Sequence, residues 1–290
     1  MSKNDHVIIT AALAGGTTSK ENNPAVPYSP EEFSQEARRA LDAGASIVHV
    51  HAKDPSTGRG TPDMDKIRPV VEAILDAAPE IILNLSSAIT AGTPSEDRLR
   101  PIREIRPEMA SLNTSTMNFA VANHKTGEII REVIFTNTFA MLEEFGRAMK
   151  EAGTKPEIEA YDPGGVYNAL LIRKKGDVFV EPMHWQCVFG VTGAQRYTPL
   201  ALCNMVDLLP EGHTWSVCGV GPNQVPALMQ AVNMGGHLRV GLEDNVRLPN
   251  GELARSNGEC VEMAVRIAEL AGRQITSPAQ TRELLGLQPK

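Results

Sequence analysis

Two histidines, His49 and His51, stand two residues apart in the segment IVHVHAKD. A β-strand sends alternate side chains to opposite faces, so both imidazoles point the same way. Such a pair at a strand end is half of a metal site, and imidazole suits zinc. The competing reading is a pair of core or hydrogen-bonding histidines, because an HxH pattern alone also matches by chance. A third ligand candidate lies far along the chain, Glu243 in RVGLEDN. Two histidines and one carboxylate leave coordination open for substrate, as a catalytic zinc requires. Arg239 and Asp244 belong to the same short segment, and burying so many charges on an apolar run is costly unless they have a use. An ordinary strand-end salt bridge is the plainer alternative.

Other polar groups fall at the ends of similar runs. EIEAYD puts Glu157 and Glu159 on one strand face with Asp162 just beyond, and Glu159, nearer the end, is the better inward candidate. In NLSS, Ser86 and Ser87 offer hydroxyl and backbone N–H groups to a substrate carboxylate. No GxSxG elbow surrounds them, which argues against a serine nucleophile. Asn113 and Thr116 add possible substrate contacts, with turn or cap roles as the alternative. CGVGPNQ and Gly235-Gly236 are weak candidates for a phosphate cradle, since glycine turns are needed there in any case.

Eight apolar, β-branched runs carry these residues: 7–12, 46–52, 81–86, 109–113, 157–161, 183–190, 214–221 and 237–243. Stretches with helical periodicity lie between most of them. In SPEEFSQEARRALDAG, Ser29 caps a helix that has Pro30 in its first turn and ends at Gly44. DMDKIRPVVEAILDAAPE, NTFAMLEEFGRAMKEAG and ECVEMAVRIAELAGR read the same way. The strand runs look buried on both faces, as parallel strands under helices should. The pattern predicts an α/β protein, a (β/α)8 TIM barrel formed as one domain over residues 1–290. An open doubly wound sheet is the runner-up, but GxGxxG is missing after the first run. Residues 113–132, after strand four, read as the longest irregular stretch, on the face where barrel enzymes keep their sites. TSPAQTRELLGL reads as a short C-terminal helix packed outside the barrel.

Composition limits the partners. With 28 basic against 35 acidic residues in 290, the chain offers no broad positive field for nucleic acid. No apolar run is long enough for a membrane span, and the start lacks a signal-peptide pattern, so a cytoplasmic location is expected. The cysteines Cys187, Cys203, Cys218 and Cys260 form no CxxC pair and read as buried small apolar residues.

VIITAALAGG, IVHVHAKD, EIEAYD and RVGLEDN, with ARSN further on, resemble the β-keto acid cleavage enzymes. The likeness runs from about residue 7 to residue 285, with the motifs in order and similarly spaced. It implies a zinc-dependent (β/α)8 barrel, usually a homotetramer, that reacts a β-keto acid with acetyl-CoA to give acetoacetate and a new CoA thioester. It further implies that His49, His51 and Glu243 bind the zinc. Asp244 is then the base that takes a proton from C2, tuned by Arg239 and Glu159, and Ser86 meets the substrate carboxylate. The founding activity, 3-keto-5-aminohexanoate cleavage, has a glutamate after strand one that meets the substrate's ammonium group. Thr17 stands there in GGTTSK, which implies a keto acid without that amino group. After strand three the family often has a glycine-rich turn, whereas this chain reads SSAIT. Two rival functions share the ligand set: a barrel aldolase or epimerase acting on a sugar phosphate without acetyl-CoA, and a non-catalytic sensor of metal and acyl-CoA.

Overall fold

A computed structural model describes residues 5–287 apart from Ala91. All eight apolar runs become strands: β1 (Ile9–Ala14), β2 (Ile47–Val50), β3 (Ile82–Leu85), β4 (Met109–Asn113), β5 (Lys155–Ala160), β6 (His184–Phe189), β7 (Thr214–Gly219) and β8 (His237–Val240). They pair in parallel in chain order, and β8 pairs with β1 to close the barrel. The helices α1 (Pro30–Ala43), α2 (Met64–Ala77), α3 (Ser95–Ile105), α4 (Phe139–Glu151), α5 (Pro163–Arg173), α6 (Pro199–Asp207), α7 (Gln224–Asn233) and α8 (Asn257–Leu270) clothe it. The Ser29–Glu32 capping box opens α1, and Gly44, at φ 113°, ends it.

Outward-facing residues such as Val48, Leu83, Ile158 and Val217 join the helices in one large apolar core. The inward face is different. Ile8, Ile47, Ile82 and Met109 form an apolar floor, while the level above carries buried His49, Asn84, Glu157, Gln186 and Arg239. Barrel interiors are ordinarily filled by branched apolar side chains, so this polar filling already marks the upper half as functional.

Three expectations need correction. The C-terminal helix, α9 (Pro278–Leu285), sends Leu285 and the following Leu287 into the floor cluster. It closes the bottom of the barrel instead of lying on its outer wall. The stretch read as irregular holds an antiparallel hairpin, Met117–Asn123 paired with Glu128–Phe135. Its outer face exposes Ile130 and Ile134, which erases the polar–apolar alternation that would have revealed it. Of the cysteines, Cys203 is exposed and the other three are buried and free. Among the described residues no helix is long and apolar enough to cross a membrane.

One buried network ties the ends of β1 and β8 together. Asn257, in the ARSN motif, accepts from Leu242 N at 2.9 Å through Oδ1 and donates to Leu13 O at 3.2 Å. Its backbone and side-chain N–H groups both reach the Glu36 carboxylate of α1, at 2.6 and 2.9 Å. Asn257→Ala keeps the backbone bond to Glu36 but loses the three side-chain bonds and strands the buried Leu242 amide, so it is expected to cost about 3 kcal/mol, read as a lower urea midpoint. An unchanged midpoint would show that these bonds contribute nothing net.

Candidate active site

The barrel mouth is built around Arg239, which lies in register with Cys218 of β7 and Thr10 of β1. After Val240 the chain turns at Gly241, where φ is 132° and a Cβ would strike Ala12 O. Strand β8 therefore stops short of the expected residue 243, and the turn swings two carboxylates back over the barrel. Asp244 receives two bonds from one guanidinium, Arg239 Nε to Oδ2 at 2.9 Å and Nη2 to Oδ1 at 3.0 Å. Arg239 also donates to Glu243 at 2.7 Å and to Glu159 at 3.3 Å. Arg239, Glu159 and Asp244 are all buried.

His49 and His51 point inward together, with their ring centroids 5.2 Å apart. Their Nε2 atoms lie 3.7 and 3.4 Å from Glu243 Oε1. The three ligand atoms fall within 4.8 Å of one another, close enough for a single ion. The other Glu243 oxygen is buried without a hydrogen-bond partner among the described residues, a costly state that a cation would relieve. The donor set, two imidazoles and one carboxylate, is of the type a divalent transition metal takes with a position left open. Glu243 fits only because residue 15 is glycine: a Cβ there would come within 2.5 Å of Glu243 Cγ.

Burial sets the charge states. It pushes His49 well below the ordinary histidine range, leaving a neutral ring with a lone pair to offer. Burial opposes ionisation of Glu243, but His51, Arg239 and His49 outweigh it and hold the carboxyl low. Burial, with the Glu243 charge adding, raises Asp244 against the pull of Arg239. Burial also raises Glu159 and pushes Glu157 up to about 7. Both glutamates face inward, so Glu157 shares the interior with Glu159 and lies 3.9 Å from the Arg239 guanidinium.

A cavity of about 640 Å³ opens above this cluster. Glu159, Arg239, Glu243, Asp244, His51, Ser86 and Thr17 all line it. Three expected substrate contacts do not. Thr116 is exposed and its hydroxyl accepts from Asn137 N at 2.8 Å, a turn role. Ser87 is fully buried, and its carbonyl accepts from Arg98 at 2.8 Å. Asn113 is buried in register with Glu159 but does not line the cavity, and neither amide atom is partnered among the described residues. Ser86 Oγ is engaged with the backbone of Ala88, at 3.2 Å as donor to the carbonyl and 3.2 Å as acceptor from the amide. Lys53, buried under the rim, donates to Thr18 O at 2.9 Å and fixes the segment that carries Thr17. The two glycine candidates also separate. Gly235-Gly236 precedes β8 at the barrel's far end, where Arg273 binds the Gly236 carbonyl at 2.6 Å. Only the loop after β7 reaches the cavity, through Val220.

Some site residues escaped the sequence reading. Tyr161 donates to Glu159 at 3.3 Å and is buried at the cavity wall. Its place two residues after Glu159 on the same face was the available signal. Gly15 carried none, because its role is to leave room for a side chain some 230 residues away in the sequence.

Fold and site together are those of a (β/α)8 barrel enzyme with a two-histidine, one-carboxylate cluster at its mouth. The chain matches the beta-keto acid cleavage enzyme family over residues 6–287 and belongs to it. It is 41% identical to the 3-keto-5-aminohexanoate cleavage enzyme of Fusobacterium nucleatum, covering 98% of both chains. It is 34% identical to the 3-oxoadipate:acetyl-CoA acetyltransferase of Cupriavidus necator, covering 97% of this chain and 94% of that one. Against the 3-dehydrocarnitine:acetyl-CoA trimethylamine transferase of Rhizobium meliloti, identity is 32% over 99% and 98% of the two chains. The solved apo structure of ObcA superposes with a TM-score of 0.76 at 24% identity, over 91% of this chain and 66% of that one, a likeness of fold.

Proposed function

We propose that the chain converts a β-keto acid and acetyl-CoA into acetoacetate and a new acyl-CoA. The observation that carries this reading is Asp244, held by two bonds from Arg239 directly beside the His49–His51–Glu243 cluster. A divalent cation on His49, His51 and Glu243, zinc by ligand type, supplies Lewis acidity toward the keto oxygen and stabilises the charge that develops there.

The chain's own groups handle the proton and the geometry. Asp244 removes a proton from C2 of the keto acid, and the resulting carbanion attacks the acetyl carbonyl of acetyl-CoA. Arg239 keeps the Asp244 oxygens in place and, through Glu159 and Glu243, keeps itself in place. The CoA thiol group moves to the original keto carbon, and the bond between that carbon and C2 breaks. Acetoacetate leaves as its carbanion and recovers the proton from Asp244, so atoms and charge balance without an oxidant. In this reading Ser86, which lines the cavity and accepts from Ala88 N–H at the end of β3, meets the substrate carboxylate.

Thr17 directs the choice of keto acid. The acidic side chains lining the cavity are Glu159, Glu243 and Asp244, and all three are bound to Arg239. Among the described residues no further carboxylate there is free to meet an ammonium group, whose burial unpaired is costly. A panel of β-keto acids, with acetoacetate formation followed in each case, is expected to favour uncharged side chains over 3-keto-5-aminohexanoate by at least about tenfold in kcat/KM, or about 1.4 kcal/mol. Thr17→Glu is expected to narrow that gap. If the amino acid substrate wins with wild-type protein, the specificity argument fails. If no keto acid yields acetoacetate, or turnover proceeds without acetyl-CoA, the reaction itself is wrong.

A further inference from the structure

The hairpin after β4 is more than a cover for the site. Register pairs Met117 with Phe135, Phe119 with Val133 and Val121 with Arg131, so these six side chains share one face. At the inner end, Met117 is buried against Tyr161, Val188 and Cys218. Phe135 meets the Tyr161 ring at 6.3 Å and Phe119 at 6.1 Å, and Tyr161 in turn bonds Glu159. From Phe135 to Arg131 the strand runs about 13 Å outward at about 3.3 Å per residue. The far end of this apolar wall carries Arg131, exposed; His124 lies in the turn beyond, and both line the cavity. No carboxylate pairs with Arg131 among the described residues. The tip is tied to the loop after β6 by Ala120 N to Thr192 O at 3.1 Å and by His124 Nε2 to the Thr192 hydroxyl at 3.1 Å. The slot therefore has two walls and a fixed direction.

We propose that this hairpin slot holds the arm of acetyl-CoA, with the acetyl thioester at the Tyr161 end and the phosphates at Arg131. The inference rests on the reaction proposed above and adds the place of its second substrate. A β-keto acid is too short to use a slot that runs this far from the Asp244 carboxylate. A thioester on a long, uncharged arm that ends in phosphate matches it: apolar walls for the arm, then an unpaired guanidinium for the anion. The polarity gradient also explains how a chain of net charge −7 accepts a polyanionic co-substrate, by one local cation instead of a broad field.

The test uses the full-length metal-loaded protein and steady-state kinetics with each substrate varied in turn. Arg131→Glu is expected to raise KM for acetyl-CoA at least tenfold while KM for the keto acid changes less than threefold. With acetyl-pantetheine, which ends before the phosphates, the penalty is expected to shrink to less than twofold. Ile130→Ser, on the hairpin's outer face, is the control for damage to the hairpin and is expected to leave KM for acetyl-CoA unchanged. An unchanged KM for acetyl-CoA in Arg131→Glu overturns the proposal, as does a penalty that persists with acetyl-pantetheine or falls on the keto acid. Absence of turnover in wild-type protein overturns instead the reaction on which it rests, so the two failures are distinct.

Discussion

Asp244→Asn is expected to lower kcat by about 10²- to 10⁴-fold, the loss typical of a removed general base, while the protein keeps its metal. The substitution preserves shape, removes the proton-accepting charge and turns one of the two oxygens that accept from Arg239 into an NH2 group, so one of those bonds is lost. Arg239 retains its bonds to Glu243 at 2.7 Å and Glu159 at 3.3 Å, so the guanidinium stays anchored when one partner becomes neutral. The His49–His51–Glu243 cluster does not include Asp244, and elemental analysis should still find one metal per chain. Loss of deuterium exchange at C2 of the keto acid, followed by NMR without acetyl-CoA, would place the defect at proton removal. A metal sensor without catalysis predicts the opposite pattern, with unchanged ligand affinity and no exchange even in the wild type. Retained turnover would mean that another group is the base, and Glu159, bound to the same arginine, would be the next to test.

The fold was legible because each barrel strand announces itself as a short β-branched run between capped helices. Strand limits were less legible: the first run, 7–12, becomes Ile9–Ala14, the fifth, 157–161, becomes Lys155–Ala160, and the eighth, 237–243, stops at Val240 because the left-handed turn at Gly241 depends on the backbone of Ala12, a contact that no local pattern encodes. The hairpin was invisible for the opposite reason. Its outward Ile130 is 65% exposed and Ile134 67%, so burial does not separate its two faces and the period of two is lost. At the site, strand alternation correctly brought His49 and His51 together. It also gave Glu157 and Glu159 a common face, yet could not show that both are buried against Arg239. Ser87, Asn113 and Thr116 stand out in the sequence only as polar residue types at strand ends. The side chains that line the cavity near them, such as Arg98 and Phe119, come from the next helix and the hairpin, which the strand pattern does not position. The mutual placement of Glu243 and Gly15 lay furthest from view, being a matter of space between residues at opposite ends of the chain.

That placement carries the second large effect. Gly15→Ala adds one methyl group, and its Cβ would lie 2.5 Å from Glu243 Cγ and 3.0 Å from Cδ. The first is closer than packed atoms allow and the second is tighter than most, and Glu243 is confined by its own bond to Arg239 at 2.7 Å, so it is expected to shift from the position facing the two histidines. Metal affinity is expected to fall by about 10- to 100-fold, the scale seen when a ligand's support is removed. A competitive chelator titration reads this directly, apart from any activity. Gly16→Ala is the matched comparison: its nearest non-neighbouring atom is Ile89 O at 3.8 Å, an ordinary contact, and metal affinity should hold. His49→Ala deletes a ligand outright and is expected to leave the purified protein without metal, while folding stays intact by circular dichroism. If Gly15→Ala binds metal as tightly as wild type, Glu243 is not a ligand in the position it occupies. If His49→Ala also keeps its metal, the ion is held elsewhere, and the second carboxylate-rich set, His49 with Glu157 and Glu159, would be excluded by the same result.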